Sequence, residues 1–467
     1  MHSADLISLA PFIVLILGGL TVLALGIWPQ HVSTRTLATV SAMFLLLGAA
    51  TTVLWETPQT VNNMLIIDNL GRLFAQFFMF GAVAIIILSF NYAPTKNEVR
   101  EEYLSLILFA TLGMTLLVTS HNLVTAFVGL EILAVPLFAL VAWKPTRSGA
   151  IEGGVKYAIL AGFAAAFFLY GITIAYASTG TLNLAALGSI TTDNYLLIVA
   201  ATLILVGVGF KLALVPFHMW APDIYQAAPA PITALFASIA KVAVLVFLIR
   251  LLCLQLQNIW EALLPLLGIL AVVTMIVGNL LALYQQNLKR LLAYSSIAHL
   301  GYILVALSAG NSLGRDAAIY YALTYALMNL CIFAVVAAFS RPDQDRQNLE
   351  EYRGLGRRHP TLGIAIGICL LALAGLPPTA GFIAKLLAFG AAIKAGYLIL
   401  AVIAVINTAL SFYYYLRILI VFYGEKSTKQ DVIHLSQGTL SIVIISSLLI
   451  IGLGIFPGWI LDLIETL

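Results

Sequence analysis

Charge is what this sequence has little of. Only 9% of its 467 residues are Asp, Glu, Lys or Arg, where a soluble domain carries about 25%. So few charges cannot clothe a water-facing surface, which excludes a soluble globular protein and leaves most of the surface to lipid or other membrane-embedded protein. The net charge of +3 gives no reason to expect a nucleic-acid partner. Cysteine is scarce too. Cys253, Cys331 and Cys369 each lie inside an apolar run, without a C-x-x-C pair. That argues against a disulfide framework, a zinc site or an iron–sulfur cluster and leaves three small buried hydrophobes. Rossmann and flavin fingerprints are missing as well, so no metal and no redox cofactor is expected on this chain.

What is there is apolar: 62% of residues are hydrophobic and the mean hydropathy is +1.04. Runs of about 20 apolar residues, each able to cross about 30 Å as helix, recur along the chain. A membrane β-barrel needs short alternating segments instead. These runs are continuous and rich in Leu, Ala and Ile, so the fold class is an all-α polytopic membrane protein. The spans fall at 6–28, 36–55, 73–92, 103–119, 122–142, 154–178, 195–226 (interrupted), 232–254, 259–282, 290–309, 317–339, 362–393 (interrupted), 396–423 and 438–462, about 14 in all. The N-terminal "MHSADLIS" lacks a basic n-region and the first run is long enough to span, so it is expected as the first transmembrane helix rather than a cleaved signal. The loops are short, and the chain 1–467 is expected to be one membrane domain.

Lys and Arg in the loops set the orientation. With the N-terminus outside, Arg35, Lys96, Arg100, Lys144, Arg147, Lys289, Arg290, Arg341, Arg346, Arg353, Arg357, Arg358, Lys426 and Lys429 fall on the inner face. Arg72, Arg250, Arg315 and Lys394 fall on the outer one. Both termini are therefore expected on the outer side.

The remaining basic residues lie within spans. Arg417 follows three tyrosines near an inner end, where a long side chain can snorkel, and Lys156 is close enough to the inner end to do the same. Glu131 and Lys241 are central to their helices, and Lys211 and Lys385 sit beside interruptions. A charge at the bilayer centre costs about 2.5–3.5 kcal/mol on insertion scales. Glu131, Lys211, Lys241 and Lys385 are thus expected to face the bundle interior and carry function, the bland alternative being ion pairs that lock helices together. His299 is either a hydrogen-bonded core residue or a proton relay. His218 and Asp223, past the first interruption, read as inner-side gates.

The interruptions are "GFKLALVPFHMWAPDIYQAAPAP" and "LLALAGLPPTAGFIAKLLAFG". Each joins prolines that break a helix to one lysine. Pro216 and Pro377 are 161 residues apart. Asn122 in "HNLVTAFVGLEI" and Asn287 in "QNLKRLLAYSSI" are 165 apart. Two echoes at similar offsets suggest a duplication. The segments would be an N-terminal three-helix segment 1–102, a first repeat 103–254 (helices four to eight), a second repeat 259–423 (helices nine to thirteen) and a last helix in 438–467. Five helices per repeat is odd, so the second enters the membrane inverted, a recurring transporter plan in which unwound backbone lines a wet cavity. The two interruptions should then lie toward opposite faces.

"FVGLEI", "GFKLALVPFHMWAPDIYQAAPAP", "NLKRLLAYSSIAHLGYILVAL" and "LAGLPPTAGFIAKL" resemble the antiporter-like subunits of respiratory complex I over almost the whole chain. The N-type is nearest: the chain stops after helix fourteen, and position 385 is lysine. The resemblance implies a proton-translocating membrane subunit of an NADH–quinone oxidoreductase in a bacterial inner membrane, with the termini on the periplasmic side. Glu131 and Lys211 would form the paired charge of a first half-channel, Lys241 the central connector, and Lys385 the second half-channel. Lys156 matches a further lysine of the N-type. The resemblance also places FMN, iron–sulfur clusters, NADH and quinone on partner subunits. The alternative reading is a subunit of a multisubunit cation/proton antiporter. A sodium path would want carboxylate and carbonyl oxygens near the midplane, whereas here one Glu stands among several Lys. A scaffold has no need of lysines at two helix breaks. A haem-binding subunit would need facing histidines, and His218 and His299 sit at different depths.

Overall fold

The structure, a computed structural model, describes residues 3–27, 32–55, 58–90, 92, 99–144, 149–189, 195–255, 257–340, 345–425 and 435–467. Fourteen helical passages order it: α1 (Ser3–Gly26), α2 (Thr34–Thr52), α3 (Asn69–Phe90), α4 (Glu101–Val118), α5 (Leu123–Val141), α6 (Ala150–Thr179), α7 in two pieces (α7a, Tyr195–Leu212; α7b, Trp220–Ala227), α8 (Ala230–Leu254), α9 (Gln257–Leu283), α10 (Leu288–Leu307), α11 (Ser312–Ala338), α12 in two pieces (α12a, Pro360–Ala374; α12b, Ala380–Lys394), α13 (Leu398–Phe422) and α14 (Gln437–Ile455). Among the described residues thirteen helices, α7a included, are long and apolar enough to cross a membrane. α12 needs both of its 15-residue pieces. The protein is a multi-pass membrane protein, and each expected span is present. The ends extend beyond the hydropathy windows: α6 begins at Ala150 and α11 at Ser312, because polar first turns with Asn and Gly caps are helical but not apolar. Of the inner-face cations in the orientation count, Lys96, Arg147, Arg341, Lys426 and Lys429 lie outside the described residues.

The core is not evenly shared. The apolar windows of α8, α10 and α11 are buried over 100%, 94% and 83% of their length, whereas α2, α6 and α14 are buried over only 28–33%. The first three form the bundle centre. α8 is not a plain helix, as its sequence suggested. A π-helical turn at Phe236–Ala240 immediately precedes Lys241, and another at Arg250–Gln255 ends the helix. Such turns re-aim the side chains that follow them.

The inverted repeat is visible in the caps. Asn122 caps α5 and pairs with Asn183; Asn287 caps α10 and pairs with Asn348. Asn183 and Asn348 each start a short helix of their own. By the alternation of spans these two brackets lie on opposite faces. We call the face shared by the chain ends the terminal face and the other the basic face. A two-stranded hairpin, Gln59–Val61 with Leu65–Ile67, covers the terminal face.

The two breaks share one design. α7a ends on Ala213, at φ +59°, with the Leu214 amide donating to the Gly209 carbonyl at 2.8 Å. α12a ends on Gly375, at φ +83°, with the Leu376 amide donating to the Leu371 carbonyl at 3.0 Å. A left-handed residue followed by this closure is a standard helix stop, and the prolines behind it prevent resumption. Aligning the left-handed residues pairs Pro216 with Pro378, one position from the Pro216–Pro377 match expected from sequence. The breaks lie toward opposite faces. The Val215 amide donates to Thr274 Oγ1 at 3.2 Å, in the basic-face half of α9. Gly454, at the terminal-face end of α14, packs on the backbone of Pro378 to Ala380, where a Cβ would come within 2.2 Å of a carbonyl oxygen.

Candidate functional site

Lys211, Lys241 and Lys385 lie at different points of one buried row, with Glu131 at its edge. Lys211 is in the last turn of α7a, just before the break, and is 8% exposed. Its Nζ has no hydrogen-bond partner among the described residues and lies 5.8 Å from the Phe138 ring centre. Glu131 is within Coulombic range of Lys211 and of Tyr157 but forms no ion pair with Lys211 among the described residues. The two approach across α5 and α7 without closing the contact. Glu131 is only partly buried, unlike the fully interior charge the sequence suggested. It follows Val124 and Val128 and precedes Val135 along the open face of α5.

Lys241, 3% exposed, lies in the bundle interior. Its Nζ donates to Ser296 Oγ at 2.5 Å and lies 5.4 Å from the Tyr225 ring centre. A cavity of about 20 Å³, large enough for about one water, is lined by Lys211, Lys241, Tyr157 and Trp220. The fold therefore brings the first two lysines to one small cavity in an otherwise largely apolar wall.

Lys385 sits one turn into α12b. Its Nζ donates to the carbonyls of Leu373 and Ala374 at 2.9 and 3.0 Å, groups that α12a leaves free at its C-terminus. The negative end of the α12a dipole thus faces a cation. Gly375 makes room for this: a Cβ there would lie 2.8 Å from Lys385 Cδ. The lysine also stands 4.9 Å from the Tyr302 ring centre. All three lysines rest on aromatic faces, which hold a cation without the permanence of a carboxylate.

Between Lys241 and Lys385 lies a network that sequence reasoning largely missed. His299 is surrounded by the rings of Tyr302, Tyr321, Tyr325 and Tyr415, with centroids 5.6–6.5 Å away. Its Nδ1 bonds the Tyr321 hydroxyl at 2.9 Å and its Nε2 the Tyr415 hydroxyl at 3.0 Å. Tyr415 also bonds Ser295. The Tyr325 hydroxyl donates to Ser296 at 2.6 Å, and Asn279 joins Tyr302, Tyr414 and Asn407. One signal was available: "YYALTYALMN" puts three tyrosines into an apolar run, with Tyr321 and Tyr325 on one helix face.

The remaining candidates separate. His218 is buried, and neither ring nitrogen has a hydrogen-bond partner among the described residues. Asp223 and Lys156 are on the basic face, in a polar cavity of about 240 Å³ with Glu152 and Gln226. Lys156 pairs with Glu152 at 2.6 Å and with Asp223 at 3.5 Å, and Asp223 pairs with Arg290 at 2.6 Å. Lys156 is thus at the mouth of the protein rather than in the buried row. Arg417 does not simply snorkel, since it reaches the Leu283 and Gln285 carbonyls at the end of α9.

Two cations counted as loop residues are fully buried. Arg250 holds Asp68 through two 2.7 Å bonds at the terminal face. Beside it, burial holds the His121 imidazole below its ordinary pKa, the Arg250 guanidinium adds to that, and Asp68 opposes it. Lys289 binds Asp345 at 2.5 Å and the Ala228 carbonyl at 2.6 Å, while Asp345 also accepts from Tyr92 and Ser340. Counting charges near span ends cannot reveal a loop that folds back over them. Lys289 thus ties α10 to the end of α7b through the Ala228 carbonyl and to the segment after α11 through Asp345. Removing one partner of a buried pair leaves the other charge uncompensated, at a cost of about 3–5 kcal/mol. Asp345→Ala is therefore expected to lower stability by that order, read as a lower melting temperature of the detergent-solubilised protein, with Lys289→Met/Asp345→Leu recovering part of the loss.

With this geometry in place, comparison with known proteins is specific. Residues 120–411 match a family model described as NADH:quinone oxidoreductase/Mrp antiporter, TM. The chain is 37% identical to NADH-quinone oxidoreductase subunit N of Chromohalobacter salexigens over 98% of either chain. It is 34% identical to that of Trichlorobacter lovleyi, over 99% of this chain and 96% of the relative. A chain of respiratory complex I from Thermus thermophilus superposes with TM-score 0.85 at 34% identity, over 97% of this chain and 98% of that one. A chain of the Mrp complex from Dietzia, 21% identical, shares the fold at TM-score 0.88, over 100% and 97%. Identity above 30% over nearly the whole length of both chains, together with the family match, shows that the chain belongs to the NADH-quinone oxidoreductase subunit N family.

Proposed function

We propose that this chain is a proton-translocating membrane subunit of an NADH–quinone oxidoreductase, moving protons along Glu131, Lys211, Lys241 and Lys385. The observation that carries the reading is the buried row. Three lysines lie in the bundle core with no carboxylate ion pair among the described residues. Two share a cavity and the third lies beyond a hydroxyl and imidazole network. Such groups exchange protons; a lysine locked in an ion pair does not. The His218 imidazole, near the first break, and the Lys156–Asp223 mouth serve uptake from the basic face.

Partner subunits supply what this chain lacks. Glu131 shares an open helix face with Val124, Val128 and Val135, and a partly exposed carboxylate within a membrane span is costly. A neighbouring membrane subunit covering that face removes the cost. FMN, iron–sulfur clusters, NADH and quinone are held by other subunits in this reading. The membrane is the bacterial inner membrane, with the chain termini on the periplasmic side, as the basic residues of the opposite face favour. Coupling fits in size. Moving one proton against 100 mV costs about 2.3 kcal/mol, and a lysine whose pKa moves by two holds roughly 2.7 kcal/mol. Separating Glu131 from Lys211 removes the charge that favours a protonated lysine and sends the proton toward Lys241.

A cation/proton antiporter is the second reading, since the family description includes one. Three buried lysines repel a sodium ion, which disfavours it. Purification of the tagged chain from its own membranes in mild detergent tests the choice. A large assembly containing flavin and iron–sulfur clusters is expected. Recovery as a lone monomer, or in a complex without redox centres, would overturn the proposal.

A further inference from the structure

The repeat places Ser296 where the first repeat has Glu131. Each lies nine residues after the asparagine that caps its helix, Asn122 or Asn287, and each is followed by isoleucine. Glu131 is the group that acts on Lys211. Its counterpart Ser296 is the group that holds Lys241, accepting from Nζ at 2.5 Å and from the Tyr325 hydroxyl at 2.6 Å, with the Tyr225 hydroxyl 3.4 Å away. We infer that Ser296 is the positioning residue of Lys241, a neutral hydroxyl at the position where the first repeat carries an acid, which keeps the central lysine aimed at the network while leaving it free to give up its proton.

The chemistry turns on neutrality. A carboxylate at position 296 would meet Lys241 at hydrogen-bond distance inside the bundle, with Ser296 itself 1% and Lys241 3% exposed. The resulting buried pair would persist through the cycle, because removing either charge alone is strongly unfavourable. A hydroxyl accepts the lysine proton's hydrogen bond, and can donate one in turn, without fixing the charge. The lysine's surroundings allow this. Lys211 and Tyr157 face the shared cavity, Glu131 lies within Coulombic range of Lys211, and Tyr225, Tyr325 and His299 add to the polar shell.

This inference rests on the proposed role of Lys241, and the test separates the two. Ser296→Ala, Ser296→Thr, Ser296→Asp and Lys241→Ala are introduced into the whole complex. Assembly is verified, and proton uptake per NADH oxidised is measured in sealed vesicles across pH. Lys241→Ala is expected to remove the contribution of this chain. Ser296→Thr is expected to match the parent, Ser296→Ala to lose several-fold in rate with a displaced pH profile, and Ser296→Asp to be as poor as Lys241→Ala. Infrared difference spectra should show the Ser296→Asp carboxyl ionised when Lys241 is present and protonated in Ser296→Asp/Lys241→Ala. If Lys241→Ala is dead but Ser296→Ala and Ser296→Asp keep the parental rate and pH profile, Ser296 has no such role while the lysine row stands. If Lys241→Ala itself pumps like the parent, the row falls and this inference falls with it.

Discussion

Lys241→Ala is expected to abolish proton movement through this chain while leaving the assembly intact. The lysine shares a small cavity with Lys211 and donates to Ser296, which also accepts from Tyr325, so among the described residues it joins that cavity to the hydroxyl network leading toward Lys385. Its partner is a serine rather than an acid, and Ser296 keeps its bond from Tyr325, so truncation removes a hydrogen bond without stranding a charge. That costs about 1–3 kcal/mol, within reach of a protein embedded among partners. The functional loss is far larger. Each 1.4 kcal/mol added to a barrier slows a step tenfold, and an unsolvated proton in the bundle core costs more than that. Uptake through this chain should therefore fall by more than about tenfold, with a normal amount of complex on native gels.

Lys211→Arg is expected to be nearly as damaging, although it preserves the charge. Arginine does not release its proton in a protein, so a relay that depends on loss and regain of a proton stops there. The guanidinium is also larger than the ammonium it replaces, beside a cavity of about 20 Å³. Lys211→Gln separates the two causes, being neutral and no bulkier than lysine. Equal loss in both variants points to proton release, whereas a mild Lys211→Gln points to crowding. Glu131→Ala should impair turnover and assembly together, because this carboxylate both biases Lys211 and lies on the open face of α5.

Sequence reading reached the spans and the breaks because both rest on strong local effects. Twenty apolar residues have few alternatives to a membrane helix, and prolines behind a left-handed residue end one. Glu131, Lys211, Lys241 and Lys385 stood out because a charge in an apolar run is expensive. What stayed hidden was compatible with an apolar context. Ser296, Tyr225, Tyr325 and Tyr415 cost little to bury, and only the folded arrangement gathers them around Lys241 and His299. Arg250 and Lys289 were hidden for the opposite reason. They lie near span ends, where cations are ordinary, and only tertiary structure brings Asp68 and Asp345 onto them. The repeat was legible in Asn122 and Asn287, yet half of each bracket, Asn183 and Asn348, lies in a loop with no pattern to mark it.

The most direct test of proton passage along the lysine row is the number of protons taken up per NADH oxidised by sealed vesicles of the whole complex. It is compared between the parent, Lys241→Ala and Lys211→Arg at matched assembly. Both variants are expected to show a lower ratio, or quinone reductase activity that falls in step with uptake. A parental ratio at parental turnover in both would show that these lysines are structural and that protons do not pass along the row.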